Sequence, residues 1–136
     1  HNRLSRAGWH AVRAAGLHLL GGQPARVRGL TPAVVATAWR RRRFCGRALR
    51  EGGPVQYYPF VLRYGGLGQL ECTGLVPGVA ARDILARAEF AERAGGVFCL
   101  ATHYWEVRAH PEIQRALDEV TAALAGRWVT AGSVFE

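Results

Sequence analysis

Apolar residues recur with helical spacing in four segments of the chain. The clearest case follows Pro111, where successive apolar residues lie four, three and four positions apart: Ile113, Leu117, Val120 and Leu124. That spacing places the four side chains on one face of an α-helix, which predicts a helix packed against a sheet. Similar patterns and end signals, such as Thr31-Pro32 and the Gly-Gly pairs, predict helices over 6–15, 32–49, 80–94 and 111–125.

Short runs of apolar and β-branched residues separate these helices and predict strands. The runs cover 17–20, 55–64, 70–76, the residues from Val97 up to His103, and 127–130, and a last helix begins at Gly132. Pro59 predicts an edge or a break in the second run. The second and third runs are interpreted as a hairpin or ribbon around a turn at 65–68. Helices and strands otherwise alternate, which predicts an α/β fold with parallel strands in one domain, residues 1–136.

The stretch from Val97 to Val107 carries the candidate chemistry. Its apolar run predicts a buried strand, and His103 follows where that strand ends. Ligands of parallel α/β sheets bind outside the carboxyl ends of the strands, so His103 faces a predicted site with Tyr104 and Trp105 as its walls. A histidine there can act as a general acid or base, and Glu106 is placed to hold one ring nitrogen and favour the protonated form. The alternative is a histidine with a structural role.

The composition narrows the class of protein. A chain of 136 residues with 49% hydrophobic and 21% charged residues is typical of one globular domain, and no apolar run approaches the roughly 20 residues that span a bilayer. The net charge is +8, and all 18 basic residues are arginine, which indicates a compositional bias of the genome. The run Arg40 to Arg43 is interpreted as a solvated helix end, so we expect no nucleic-acid partner. An anion or nucleic-acid site that includes Trp39 and Phe44 is the alternative.

Several kinds of site lack their sequence signals. The three cysteines, Cys45, Cys72 and Cys99, form no CxxC pair, which argues against a disulfide scaffold and a structural zinc site and favours a cytoplasmic protein. Cys99 is interpreted as a small buried hydrophobic residue. The five histidines form no HxxH or HxxxH pair, and neither a GxSxG elbow nor a GxGxxG after a strand is present. The chain therefore does not contain a complete catalytic set.

Three segments together resemble the C-terminal half of a polysaccharide deacetylase domain, of the family related to chitooligosaccharide deacetylases. The first is His1-Asn2-Arg3-Leu4-Ser5, with Gly8-Trp9 and Ala14-Ala15-Gly16-Leu17 after it. The second is the strand and histidine from Phe98 to Glu106, which is similar to the last motif of the family. The third, Trp128 to Glu136, is similar to its closing strand and helix.

The resemblance implies a distorted (β/α) barrel and a metal-dependent hydrolase that removes an N-acetyl or O-acetyl group from a carbohydrate. In such enzymes an Asp and two His bind a divalent, zinc-like metal, a second Asp acts as base, and the histidine of the last motif protonates the leaving amine. That role carries over to His103, with the substrate-binding residues expected to be His1, Asn2, Tyr104, Trp105 and Glu106. The Asp-Asp motif and the HxxxH pair do not occur in this chain, so no metal ligand is assigned in it.

The absence of methionine leads us to interpret the chain as a segment of a longer protein. The complete parent is then the deacetylase, and the segment alone is expected to be inactive. Helices built to pack against missing strands would leave apolar faces exposed, so we expect self-association. Two other readings are a non-catalytic module that binds carbohydrate on Tyr104 and Trp105, and a basic module that binds nucleic acid or another anion through Arg40 to Arg43.

Overall fold

The computed structural model describes residues 6–21, 32–53, 57–64 and 66–135. This part of the chain has a mixed α/β fold in which six helices accompany five short strands. In order, the elements are α1 Arg6–Ala14, β1 Leu19–Leu20, α2 Pro32–Arg50, β2 Leu62–Tyr64, β3 Leu67–Leu70, β4 Thr73–Gly74, α3 Ala81–Arg93, β5 Leu100–Ala101, α4 Tyr104–Ala109, α5 Pro111–Ala123 and α6 Ala131–Phe135.

The strands form two small sheets. In the first, β3 lies between β1 and β2; it pairs in parallel with β1, where Leu19 lies opposite Gln69, and antiparallel with β2. In the second, β4 pairs in parallel with β5, with Thr73 opposite Leu100. Parallel strands were predicted and are present in both sheets. A hairpin was also predicted, but its second strand is β3 and not the predicted segment 70–76, which contains β4. The sheets are too small to establish a barrel.

An apolar cluster lies mainly between α3 and α5, and we call it the helical core. Its buried members are Leu75, Ala81, Ile84, Ile113 and Val120. The predicted stripe of α5 faces this cluster, since Leu117 and Leu124 pack against its buried members. Pro111 starts α5 because its fixed φ suits the first helical turn. Proline has no backbone N–H, and at this position an N–H would have no intrahelical acceptor, so nothing is lost. The four long helices, α1, α2, α3 and α5, agree with the predicted ones.

The first sheet is covered by α2 through aromatic side chains. Phe44 packs edge-on against Tyr58 and Phe60, with ring centroids 5.5 and 5.1 Å apart, and Leu62 is buried beside them. Edge-to-face packing of this kind adds to the free energy of apolar burial. Among the described residues, no helix has both the length and the hydropathy needed to cross a membrane.

The predicted strand over 55–64 is mostly wrong, because only Leu62–Tyr64 pairs in the described part of it. Pro59 is buried where the segment leaves the sheet, and its carbonyl accepts the Val97 N–H at 2.7 Å. The turn predicted at 65–68 is also too long, since β3 already begins at Leu67. Gly68 therefore lies within the strand. An added Cβ at this position would meet the Phe135 ring at 2.5 Å, so the glycine allows the ring to pack closely against the strand.

Two further predictions need correction near the C-terminus. Residues 127–130 do not form the predicted strand; Trp128 and Val129 are exposed, and no β-pairing of the segment exists among the described residues. The strand predicted from Val97 up to His103 is only two residues long, Leu100–Ala101, and the residues after His103, interpreted as walls of a site, form α4. The final helix, predicted from Gly132, is confirmed as α6.

Candidate functional site

His103 lies where the backbone changes from strand to helix. It follows β5 by two residues and is the N-terminal flanking residue of α4, where its carbonyl accepts the N–H groups of Glu106 and Val107 at 3.0 and 3.1 Å. The preceding Thr102 donates its hydroxyl to the Leu75 carbonyl at 2.9 Å, which fixes the end of β5 beside the end of β4. His103 is therefore at the carboxyl end of a parallel strand, and its side chain is exposed.

Three consecutive aromatic rings form an exposed surface, which we call the strand-end surface: His103, Tyr104 and Trp105. The imidazole stacks on the indole with a centroid distance of 4.3 Å and an angle of 8°, and Tyr104 meets the indole edge-on at 5.2 Å. Tyr104 is 71% exposed and Trp105 54% exposed. Flat, exposed aromatic faces suit the apolar C–H faces of sugar rings, since the desolvation of both surfaces favours their contact.

Glu106 does not hold the His103 ring as the sequence suggested. No hydrogen bond of the described residues joins the two side chains; the imidazole stacks on Trp105, and Glu106 points inward from the first turn of α4. One carboxylate oxygen, Oε2, is buried without a hydrogen-bond partner in the described part of the molecule. The sequence interpretation paired Glu106 with His103 because it follows three residues later; in the structure the His103 ring stacks on Trp105 instead.

The remaining predicted site residues, His1 and Asn2, lie outside the described residues. Within the described ranges, no three His, Cys, Asp or Glu side chains come close enough together to hold a metal ion. Neither His10, His18 nor His110 approaches the strand-end surface through a hydrogen bond or ring contact. Of the described histidines, His18 also stacks on an aromatic ring, that of Phe135, but only His103 belongs to the strand-end surface.

A second candidate site lies on α2, where arginines form a continuous stripe. Arg40, Arg43, Arg47 and Arg50 recur at intervals of three, four and three residues, which keeps them on one face of the helix. With Trp39 and Phe44 they line a groove of about 430 Å³, which we call the arginine groove.

The guanidinium groups of the groove are supported by aromatic rings. Arg43 lies 4.5 Å above the Trp39 ring and Arg47 lies 5.9 Å from the Phe44 centroid, both within the range of cation–π attraction. Among the described acidic residues, only Glu51 forms an ion pair in the groove, with Arg47 at 3.6 Å on the surface. Four consecutive arginines do point around the helix as expected, but Arg47 and Arg50 continue one of the faces. The sequence interpretation overlooked that continuation.

Arg41 points to the opposite side of α2 and binds a buried carboxylate. Its Nη2 lies 2.8 Å from Oε1 of Glu71, a residue only 8% exposed at the end of β3. Burial raises the pKa of Glu71 because it disfavours the charged form, and the Arg41 charge offsets part of that rise. The other oxygen, Oε2, has no hydrogen-bond partner in the described part of the chain. No local pattern in the sequence signals this pair.

Three further polar groups adjoin Glu71, and with the Arg41–Glu71 pair they make up what we call the polar junction: Arg41, Glu71, Tyr57, Cys72 and Cys99. The Tyr57 hydroxyl donates to the Val97 carbonyl and accepts the Cys99 N–H at 3.0 Å, and burial raises the pKa of Tyr57 well above its usual range. The Sγ atoms of Cys72 and Cys99 lie 2.8 Å apart. Cys99 is half-buried against another thiol, so its interpretation as a simple buried hydrophobic residue is wrong.

Comparison with protein-family models, curated protein sequences and solved structures finds no match for this chain. The geometry of the three regions is then the basis for assigning chemistry. The strand-end surface offers an exposed imidazole on a stacking platform. The arginine groove offers positive charge on aromatic supports, and the polar junction offers two adjacent thiols.

Proposed function

We propose that the chain is the C-terminal part of a polysaccharide deacetylase-like domain with a distorted (β/α) barrel. The complete parent would hydrolyse the N-acetyl or O-acetyl group of a carbohydrate, using a divalent, zinc-like metal. The observation that carries the proposal is the exposed His103 ring, which follows a parallel strand and stacks on Trp105. The described residues of this chain offer no set of ligands for the metal, which we assign to the rest of the parent.

In this proposal His103 donates a proton to the leaving amine of the sugar. An imidazole can serve as a general acid, because it gives up a proton during the reaction and takes one up again before the next turnover. Stacking on Trp105 restricts the ring to one plane, which lowers the entropy cost of orienting the proton donor. Tyr104 and Trp105 would bind the sugar ring through its apolar face, with His1, Asn2 and Glu106 as further substrate-binding residues.

The catalytic role is tested by His103→Ala in the complete protein that contains this segment. We expect kcat on an acetylated chitooligosaccharide to fall roughly 10²- to 10⁴-fold, the usual contribution of a positioned acid or base, with no change in bound metal. The matched control is His10→Ala, because His10 is an exposed histidine on α1. Loss of the metal from His103→Ala would make the residue a ligand, and unchanged kcat would refute the role.

Carbohydrate binding is tested on the 136-residue chain itself. Addition of a chitooligosaccharide should shift the indole N–H resonance of Trp105 and leave that of the exposed Trp128 unchanged, because only Trp105 belongs to the strand-end surface. Trp105→Ala should abolish the shifts of neighbouring signals. Binding with no deacetylation by the complete parent would favour the non-catalytic carbohydrate-binding module.

The arginine groove supports a second candidate function, binding of an anionic polymer. The carrying observation is the stripe of four guanidinium groups along one helix face, two of them stacked over rings. A nucleic acid would release counterions there, and its affinity would fall with salt in proportion to the number of phosphates contacted.

Retention on immobilised single-stranded RNA at increasing salt tests this second function. Neutralising the groove with Arg40→Gln, Arg43→Gln, Arg47→Gln and Arg50→Gln should reduce the slope of log affinity against log salt by about 0.7 for each lost contact. The control carries four substitutions of exposed arginines elsewhere, at Arg82, Arg93, Arg108 and Arg115, and has the same net charge. An equal loss of RNA affinity in both variants would mean that binding depends on the net charge of the chain and not on the arginine groove.

Exposed apolar side chains support self-association of the isolated chain. Leu17, Trp39 and the adjacent Trp128 and Val129 are each more than half exposed. Their contact with a second copy would remove apolar area from water. Sedimentation over a tenfold range of concentration should show species larger than 14.8 kDa, and a single monomeric species would contradict the expectation.

A further inference from the structure

The two strands of the second sheet bring a pair of cysteines together. Cys72 immediately precedes β4 and Cys99 immediately precedes β5, and the parallel register that pairs Thr73 with Leu100 sets the two cysteines opposite each other. A backbone hydrogen bond of 2.7 Å from the Thr73 N–H to the Cys99 carbonyl holds this end of the ladder. The two Sγ atoms are 2.8 Å apart.

That geometry is close to what a disulfide requires. Neighbouring strands lie about 4.8 Å apart, which is within the Cα separation of about 4.4–6.8 Å found across disulfides. A covalent S–S bond is about 2.05 Å long, so the thiols need to approach by less than about 1 Å. Side-chain rotation alone can supply such a movement.

The two thiols differ in their readiness to react. The two thiols share one hydrogen bond, in which either sulfur can be the donor. With Cys72 as the donor, this contact lowers the pKa of Cys99, and the same contact together with burial raises the pKa of Cys72. Both side chains are half-buried and so keep some access to solvent. The Tyr57 hydroxyl accepts the Cys99 N–H and keeps the backbone of that residue in place. We take Cys99 as the attacking thiol and Cys72 as the resolving thiol; the opposite order would form the same disulfide, because that depends on the distance between the two sulfur atoms.

We propose that Cys72 and Cys99 form a redox modification site, in which a reversible disulfide joins β4 to β5 after exchange with a low-molecular-weight disulfide. The Cys99 thiolate attacks one sulfur of the reagent RSSR; a mixed disulfide forms, the reagent S–S bond breaks, and RS⁻ leaves and takes up a proton. Cys72 then loses its proton and attacks the Cys99 sulfur, which releases the second RS⁻. Two protein thiols are oxidised to one disulfide while RSSR is reduced to two RSH.

Cys45 provides a control within the same chain. It lies on α2 and is half-buried like the other two, but no hydrogen bond among the described residues joins it to another thiol. A reagent that simply oxidised accessible cysteines would modify Cys45 as readily as the pair. A disulfide that forms only between Cys72 and Cys99 would therefore be due to the geometry of the sheet and not to the solvent exposure of the thiols.

The experiment treats the folded 136-residue chain with oxidised glutathione and then blocks the remaining thiols with N-ethylmaleimide. Intact mass should show one maleimide group, on Cys45, and peptide mapping should find the Cys72–Cys99 cross-link. Dithiothreitol should restore three maleimide groups. Two or more maleimide groups after complete reaction with glutathione disulfide, or cross-links that involve Cys45 equally, would overturn the proposal.

Two single variants test the order of attack. In Cys72→Ser the mixed disulfide on Cys99 cannot be resolved, so glutathione should remain bound to Cys99. In Cys99→Ser the remaining Cys72 should react about tenfold more slowly than Cys99 does in Cys72→Ser, because burial and the nearby Glu71 carboxylate still disfavour the Cys72 thiolate. The cross-link in the wild-type chain should also form faster in buffer than in urea, and faster formation in urea would contradict a site made by the folded sheet.

Discussion

The helical core and the polar junction are two buried regions held by different forces. The helical core contains only apolar side chains, and Leu75, Ile84 and Val120 in it are fully buried. The polar junction lies between α2 and the strands and buries a carboxylate, a phenol and two thiols that meet through specific contacts. The first region is stabilised by the amount of apolar area removed from water, and the second by the partners of each polar group.

This difference determines where chemistry can be placed. Apolar packing is non-directional, so the helical core tolerates a substitution that conserves volume. A buried polar group is costly when its partner is lost, so each contact of the polar junction depends on the position of the next. The reactive groups of the described chain are correspondingly in the polar junction, in the strand-end surface and in the arginine groove, and none of them is in the helical core.

The largest effect is expected from Ile84→Ala in the helical core. The substitution removes buried methyl and methylene groups between α3 and α5 and leaves a cavity, which should lower the free energy of unfolding by about 2–5 kcal/mol. Urea denaturation followed by circular dichroism measures the loss. Ile84→Val is the control, with an expected loss of about 0.5–1.5 kcal/mol. Equal losses for the two variants would mean that the region is not tightly packed.

A smaller loss is expected from Arg41→Met in the polar junction. The Glu71 carboxylate would stay buried without its cation, which should lower the free energy of unfolding by about 1.5–3 kcal/mol at neutral pH. The matched control is Arg42→Met, because Arg42 is the exposed neighbour on the same helix, and its effect should stay within about 0.5 kcal/mol. Similar values for both variants would show that the buried ion pair does not contribute.

The smallest effect is a pH dependence that originates from Glu71. Its pKa is raised in the folded state, so the folded state binds the proton more tightly than the unfolded chain does. The contribution of this group to stability is fully present below its unfolded pKa and is lost as the pH rises through the folded pKa. The wild-type chain should therefore gain stability relative to Glu71→Gln as the pH is lowered from 7 towards 4.5.

Urea midpoints of both proteins at several pH values measure that difference. The amide of Glu71→Gln has nearly the same shape and does not titrate in this range, so subtraction cancels the pH dependence of all other groups that the substitution leaves unaffected. A difference that grows in favour of the wild-type chain with rising pH would mean that the Arg41 charge outweighs the burial of the carboxylate.

The sequence allowed much of the helical core to be predicted and little of the polar junction. The α5 stripe repeats within one helix, so its face is determined by local spacing, and the Thr31-Pro32 and Gly95-Gly96 signals locate helix ends. The Arg41–Glu71 pair joins residues 30 positions apart, and the two thiols are 27 apart. Contacts of that kind depend on strand register, which no local pattern determines.

The strand-end surface lies between these two cases. The position of His103 after an apolar run was apparent from the sequence, because buried strands have a compositional signal. The helix α4 was not, since Tyr104, Trp105 and Val107 have higher strand than helix propensity, and the surrounding structure overrides that preference. The predicted interaction of Glu106 with His103 is not among the hydrogen bonds of the described residues, because the imidazole stacks on Trp105 instead. The deacetylase role of His103 stays a proposal.

The contacts of His18 have a consequence for the order in which the chain folds. Its Nδ1 accepts the Gly68 N–H at 3.0 Å across 50 residues of sequence, and its ring stacks on Phe135 at 4.5 Å. These contacts close long loops, and loop closure carries an entropy cost that nearer contacts must first offset. We therefore expect α3 and α5 to associate early and β1 and α6 to join last. The amide hydrogens of β1 should then exchange with solvent long before those of α5.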